Sequence, residues 1–159
     1  MIEGIKQPFT WLLSHPLVLL WLAIFFLWAT ITDLRSLKIP NKLNALLAIG
    51  NLGIFVLYPL TQGNWQASVQ ALFAASIGFV VLLIPAVATG FQMAGDIKFI
   101  GALGFAFTPI SMMAYLGLSI VRNALTNGFL IATKRKAFEQ VIPFAPFFTC
   151  SFIIFLLLA

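Results

Sequence analysis

This chain has almost no acid, almost no cysteine and one histidine. Its 159 residues include four carboxylate side chains, Glu3, Asp33, Asp96 and Glu139. A single cysteine, Cys150, rules out an intrachain disulfide and any CxxC metal site. It sits in an apolar run and reads as a small packing residue. With His15 as the one imidazole, no HExxH motif or Cys/His cluster can be built for zinc, so the residue set implies neither metal nor cofactor. A Ser/His/Asp set fails for the same reason, because His15 is expected at the opposite membrane face from the acids. His15 reads as structural. The start, MIEGIKQPFT, lacks the basic-then-apolar layout of a cleavable signal peptide.

Charge is scarce too. Only 8% of residues are charged and 62% are hydrophobic, whereas soluble domains carry about 25% charged residues. The apolar segments are continuous, which points to membrane helices and away from a barrel of alternating strands. The fold class expected is all-α and polytopic, with about six transmembrane helices in a single membrane-embedded domain over residues 1–159. The formal net charge of +5 comes from cations placed between the apolar runs. They read as topology determinants rather than as a nucleic-acid surface, with anionic lipid as their partner.

Taken in order, ten mildly polar residues precede a first helix beginning near Trp11 or Leu17 and ending at Ile31. Residues 32–42 follow, with Arg35, Lys38 and Lys42 around Asp33, and mark a cytoplasmic turn. Pro40 biases Ile39 away from helix, and Pro-Asn opens a new element. A run from Leu43 to Leu60 returns outward, and Ala67 to Ala88 comes back in. The chain then reaches Gln92-Met93-Ala94-Gly95-Asp96-Ile97-Lys98. Next comes a short element, Phe99 to Phe107, either tilted into the protein or continuing past Pro109. Gly101 and Gly104 give it a face that permits close helix approach. Ser111 to Thr133 ends at Lys134-Arg135-Lys136, again cytoplasmic, and Arg122 within it needs to snorkel or find a polar partner. Glu139 reads as solvated. Pro143-Phe144-Ala145-Pro146 leads to the last run, and both termini are expected outside.

Counting spans therefore brings Asp33 and Asp96 to the cytoplasmic face although 63 positions separate them. Carboxylates at a bilayer are costly, and two on one face suggest a shared task. An aspartic protease uses such a pair: one group takes a proton from water while the other donates to the scissile carbonyl. Asp33 ends an apolar helix and Asp96 begins one, so the helix dipoles alone assign the shared proton more often to Asp33. Lys98, two positions from Asp96, does not face it on a helix and is expected to meet lipid headgroups or support the site. The charge pattern also accommodates a small transporter or proton-relay subunit, acids that simply pair with Arg or Lys, or a metal-assisted phosphoryl transferase.

Three motifs in order, Asp33 with Ile39-Pro40-Asn41, then Gly95-Asp96-Ile97-Lys98, then Pro143-Phe144-Ala145-Pro146, resemble the type IV prepilin leader peptidases. These are membrane aspartic proteases of the GxGD type, related to archaeal preflagellin peptidases, and the resemblance runs from about Leu17 to the C-terminus. It implies Asp33 and Asp96 as catalytic aspartates, with Gly95, Lys98, Pro40, Asn41, Pro143 and Pro146 as supporting motif residues. Met93 stands where the family has the first glycine, which puts substrate preference in question. Longer members carry a cysteine-rich zinc-binding insertion and methylate the new N-terminus. With a single cysteine this chain cannot build it, and it resembles the short, peptidase-only form found with Tad/Flp-type pili. The expected substrate is a pilin-like precursor with a basic leader before one apolar helix, cut at the cytoplasmic face of the bacterial inner membrane.

Overall fold

The computed structural model describes residues 2–89, 94–133 and 143–159, and every regular element among them is helical. Helix α1 spans Ile2–Ser14, α2 Pro16–Ser36, α3 Asn41–Leu52, and α4 Tyr58–Thr61, with a π-helical stretch Gly53–Leu57 joining α3 to α4. Helices α5 (Trp65–Thr89), α6 (Ala94–Gly104), α7 (Pro109–Ala132) and α8 (Ala145–Leu158) complete the described chain. Met93, Lys134-Arg135-Lys136 and Glu139 lie outside the described residues.

Among the described residues, three helices are long and apolar enough to cross a membrane: Pro16–Ser36, Asn41–Thr61 and Trp65–Ala88. Their outer faces remain apolar, with Leu17 81% and Val87 74% exposed, which suits hydrocarbon rather than water as the surrounding medium. Helix α8, at 14 residues, reaches only about 21 Å at 1.5 Å per residue.

The N-terminus differs from its expected irregular lead-in. Residues 2–14 form a separate helix because Phe9 and Leu12 are fully buried on one face. His15 then breaks the chain, and Pro16 opens α2, where a proline loses no helical hydrogen bond. His15 Nδ1 lies 2.8 Å from the Trp11 carbonyl and its ring stacks on Trp11, a local structural role. The short element after Asp96 likewise stops at Gly104 instead of running past Pro109. Thr108 caps α7 through a reciprocal pair with Ser111, so the new helix starts at the proline. Cys150, expected in the core, is exposed on α8.

Two packing zones hold the helices. A phenylalanine cluster joins α1, α2, α7 and α8: Phe26 stacks on Phe152 at 4.5 Å, and Phe9 meets Phe107 edge-on at 5.3 Å. Tyr115 is buried there and donates to the Phe148 carbonyl at 2.9 Å. The other zone is the contact of α5 with α6, the most extensive among the described helices. It depends on glycine: a Cβ on Gly104 would lie 2.5 Å from Ala75 Cα. Backbone meets backbone there.

Candidate active site

Asp33 lies one turn from the end of α2, on the face turned inward, and is 4% exposed. The helix ends because Leu37 adopts the left-handed region (φ 53°), and its N–H closes on the Asp33 carbonyl at 2.9 Å. That conformation costs a non-glycine residue about 1–2 kcal/mol. It turns the chain sharply into Lys38, Ile39 and Pro40. Pro40 is extended (φ −63°, ψ 138°) and caps α3, whose first residue is Asn41.

The Asp33 carboxylate is met from the far end of the chain. Its Oδ2 accepts the backbone N–H of Ala145 at 2.8 Å. Ala145 is the first residue of α8, where N–H groups have no partner within the helix. Pro146 follows at a position where its missing donor costs nothing, and Pro143 lies just ahead of the helix. The proline pair thus frames a helix start whose free donor goes to Asp33. Thr30 and Thr149 hydroxyls, 2.7 Å apart, tie the same two helices one turn away. This changes the argument about the shared proton. The C-terminal end of α2 and the N-terminal end of α8 meet at Asp33 with opposite dipole signs, so α2 alone no longer assigns the proton.

Asp96 sits in the first turn of α6. Its position is set through its neighbour Gly95. A Cβ there would come within 3.2 Å of both the backbone N and O of Ile39, closer than ordinary side-chain contact. Gly95 therefore lets the start of α6 press against the Ile39-Pro40-Asn41 turn. Two hydrogen bonds fasten that contact. Asn44 Nδ2 donates to the Gly95 carbonyl at 3.0 Å, and Lys98 Nζ donates to Asn41 Oδ1 at 3.0 Å. Seven residues further on, Asn51 repeats the arrangement by donating to the Ala102 carbonyl at 2.9 Å, while Trp21 Nε1 donates to Asn51 Oδ1. Helices α3 and α6 thus run parallel, pinned at a seven-residue interval on each.

The structure brings the two acids together. The Asp33 carboxyl is near enough to act electrostatically on Asp96. Asp96 Oδ1 is buried and has no hydrogen-bond partner among the described residues, an arrangement that costs free energy unless the atom has another use. No group of three or more His, Cys, Asp or Glu suited to a metal occurs among the described residues. Arg122 is half-buried on α7, and its Nη1 has no hydrogen-bond partner among the described residues.

Pro40, Asn41, Gly95 and Lys98 therefore gather around Asp96, and Pro143 and Pro146 around the donor to Asp33. Reasoning from sequence missed Asn44 and Asn51. Amides spaced seven apart in the otherwise apolar run after Pro40 were the available signal. It also missed Ala145, whose contribution is a backbone N–H and leaves no side-chain signature.

The chain matches the model of the type IV leader peptidase family over residues 20–159. It is 30% identical over 117 residues to the prepilin leader peptidase/N-methyltransferase of Bacillus subtilis (strain 168), an alignment covering 73% of this chain and 45% of that protein. The chain thus spans about half the length of that curated relative. No solved structure matches it. With the family model extending across α2 to α8, the chain belongs to the type IV leader peptidase family.

Proposed function

We propose that this protein is a membrane aspartic endopeptidase that removes leader peptides from pilin-like precursors, with Asp33 and Asp96 as its catalytic pair. The observation that carries this reading is the packing of Gly95 against the Ile39 backbone, which seats Asp96 at the start of α6 against the turn that follows Asp33 at the end of α2. In the proposed reaction one carboxylate takes a proton from water as its oxygen attacks the scissile carbonyl. The partner, protonated, donates to the carbonyl oxygen. The tetrahedral adduct then breaks its C–N bond: the nitrogen takes a proton from one acid as it leaves, and a hydroxyl of the adduct gives its proton to the other, so the pair again holds one proton. No cofactor enters.

The six-span count, α2, α3 with α4, α5, α6, α7 and α8, is part of this proposal. So is the orientation, with both acids at the cytoplasmic face of a bacterial inner membrane, where a precursor's basic leader meets its apolar helix. The methyl-transfer half of the Bacillus subtilis relative's name is not carried over; we assign this chain the peptidase step alone, as one membrane-embedded domain over residues 1–159 without a zinc-binding insertion.

Co-expression with candidate pilin-like precursors tests the reading, with a gel shift for cleavage and mass spectrometry for the new N-terminus. The parent chain should release the leader, in the presence of chelator as in its absence. Asp33→Asn and Asp96→Asn should each reduce processing by at least about 10³-fold while inserting normally, since general acid–base groups contribute on that order. Cation flux without any processing would replace the peptidase by a transporter or proton relay. Chelator-sensitive turnover would favour metal-assisted chemistry.

A further inference from the structure

Between α3, α5 and α6 the molecule has a lateral groove of about 680 Å³, whose lining includes Lys98, two positions after Asp96. Its floor is built from small side chains, among them Ala45, Ala48, Ala75 and Gly101. Small residues let a second helix approach closely inside a bilayer. Along α3 the groove runs from Asn41 to Ala48, about 10 Å at 1.5 Å per residue, or two helical turns.

The polar end gives the groove a direction. Lys98 and Asn41 stand there and satisfy each other. Asn44 lines it as well, 4% exposed, and its amide nitrogen is committed to the Gly95 carbonyl. The other half of that amide, Oδ1, is buried and has no donor among the described residues. A buried amide oxygen without a partner costs about 1–3 kcal/mol. An acyl chain has nothing to offer it. The leading turn of a helix does, because its first four N–H groups have no partner within the helix. The acceptor is also one hydrogen bond from Gly95, which precedes the catalytic Asp96 in the chain.

We infer that this groove seats the first two turns of the precursor's apolar helix, with Asn44 Oδ1 accepting a backbone N–H from its leading turn beside the scissile bond. The inference rests on the peptidase reading and adds to it the surface that recognises substrate. The groove takes the apolar helix just past the cleavage site and leaves the basic leader on the cytoplasmic side.

Exposed positions on its walls supply the test, with the precursor that the parent chain processes as the probe. Ala45→Trp and Ser76→Trp fill the groove without touching the core. Each should raise KM for the precursor about tenfold or more with kcat little changed, the signature of lost ground-state binding. Ile153→Trp, exposed on α8 away from the groove, should leave both unchanged. In an Asp96→Asn, Cys150→Ser background, Ser76→Cys should form disulfides with cysteines stepped through the precursor helix at three- and four-residue intervals. Ile153→Cys should not.

Unchanged KM in both tryptophan variants, or cross-linking as strong from Ile153→Cys, would overturn the groove assignment while the peptidase stands. Quenching of the inserted tryptophans by brominated phosphatidylcholine, undiminished when precursor is added, would give the groove to lipid instead and overturn the inference. No processing of any precursor by the parent chain would remove both readings at once.

Discussion

The two acids are held in opposite ways. Asp96 is placed by crowding: Gly95 presses the start of α6 onto Ile39, and Asn44 clamps the Gly95 carbonyl. Asp33 is placed by a single directed donor, the Ala145 N–H, reaching across from α8. One side depends on a side chain being absent, the other on a backbone group being present. The difference teaches where each half tolerates change. Around Asp96 the missing side chain at Gly95 matters sterically, whereas around Asp33 it is the backbone N–H of Ala145 that matters, its buried methyl group requiring only that the residue stay small.

Substitutions can break that contrast. The largest effect is expected from Gly95→Val, which drives two branches into the Ile39 backbone and displaces Asp96. Processing should fall about 10²-fold, the scale of a misplacement of about 1 Å at a reacting group, while insertion into membranes persists. Ala145→Pro removes the donor to Asp33. Its loss should be about 10- to 100-fold, in keeping with the 1.5–3 kcal/mol of a hydrogen bond to a charged group. Part of that loss reflects Phe144, whose helical ψ of −30° must shift before a proline. Ala145→Gly keeps the N–H and should stay near the parent rate; a loss equal to that of the proline variant would show that packing, not donation, holds Asp33. Asn44→Leu should cost about tenfold in processing, since it leaves the Gly95 carbonyl without its donor at about 1–3 kcal/mol.

The smallest expected effect lies at the turn after Asp33. Leu37→Gly removes the penalty of a left-handed non-glycine residue and should stabilise the protein in detergent by up to about 1 kcal/mol, read from thermal unfolding. A decrease would mean that the Leu37 side chain contributes more than its backbone strain takes away.

These positions also show what a sequence can and cannot declare. Continuous apolar runs give all-helical structure directly, because a bilayer leaves backbone groups few other ways to be satisfied. Asp33 and Asp96 are conspicuous since ionisable residues are rare in such a chain. The motif glycine and prolines could be singled out, yet their reasons could not. That Gly95 makes room for Ile39, 56 positions earlier, and that Pro146 belongs to a helix start aimed at Asp33, are facts of long-range packing. The N-terminal helix went unseen although Ile2, Ile5, Phe9 and Leu12 recur at three- and four-residue spacing, because the polar residues and Pro8 between them read as a lead-in. Cys150 was misplaced for a related reason: in a membrane protein an apolar run does not distinguish the core from the lipid face.

Single-turnover processing of one precursor decides whether Asp33 and Asp96 act as one unit on one peptide bond. The comparison sets Asp33→Asn and Asp96→Asn against the double variant. Groups that work jointly are strongly non-additive, so each single substitution should fall to the same floor as the double. A single variant that keeps the parent rate, or losses that simply multiply in the double, would contradict joint action.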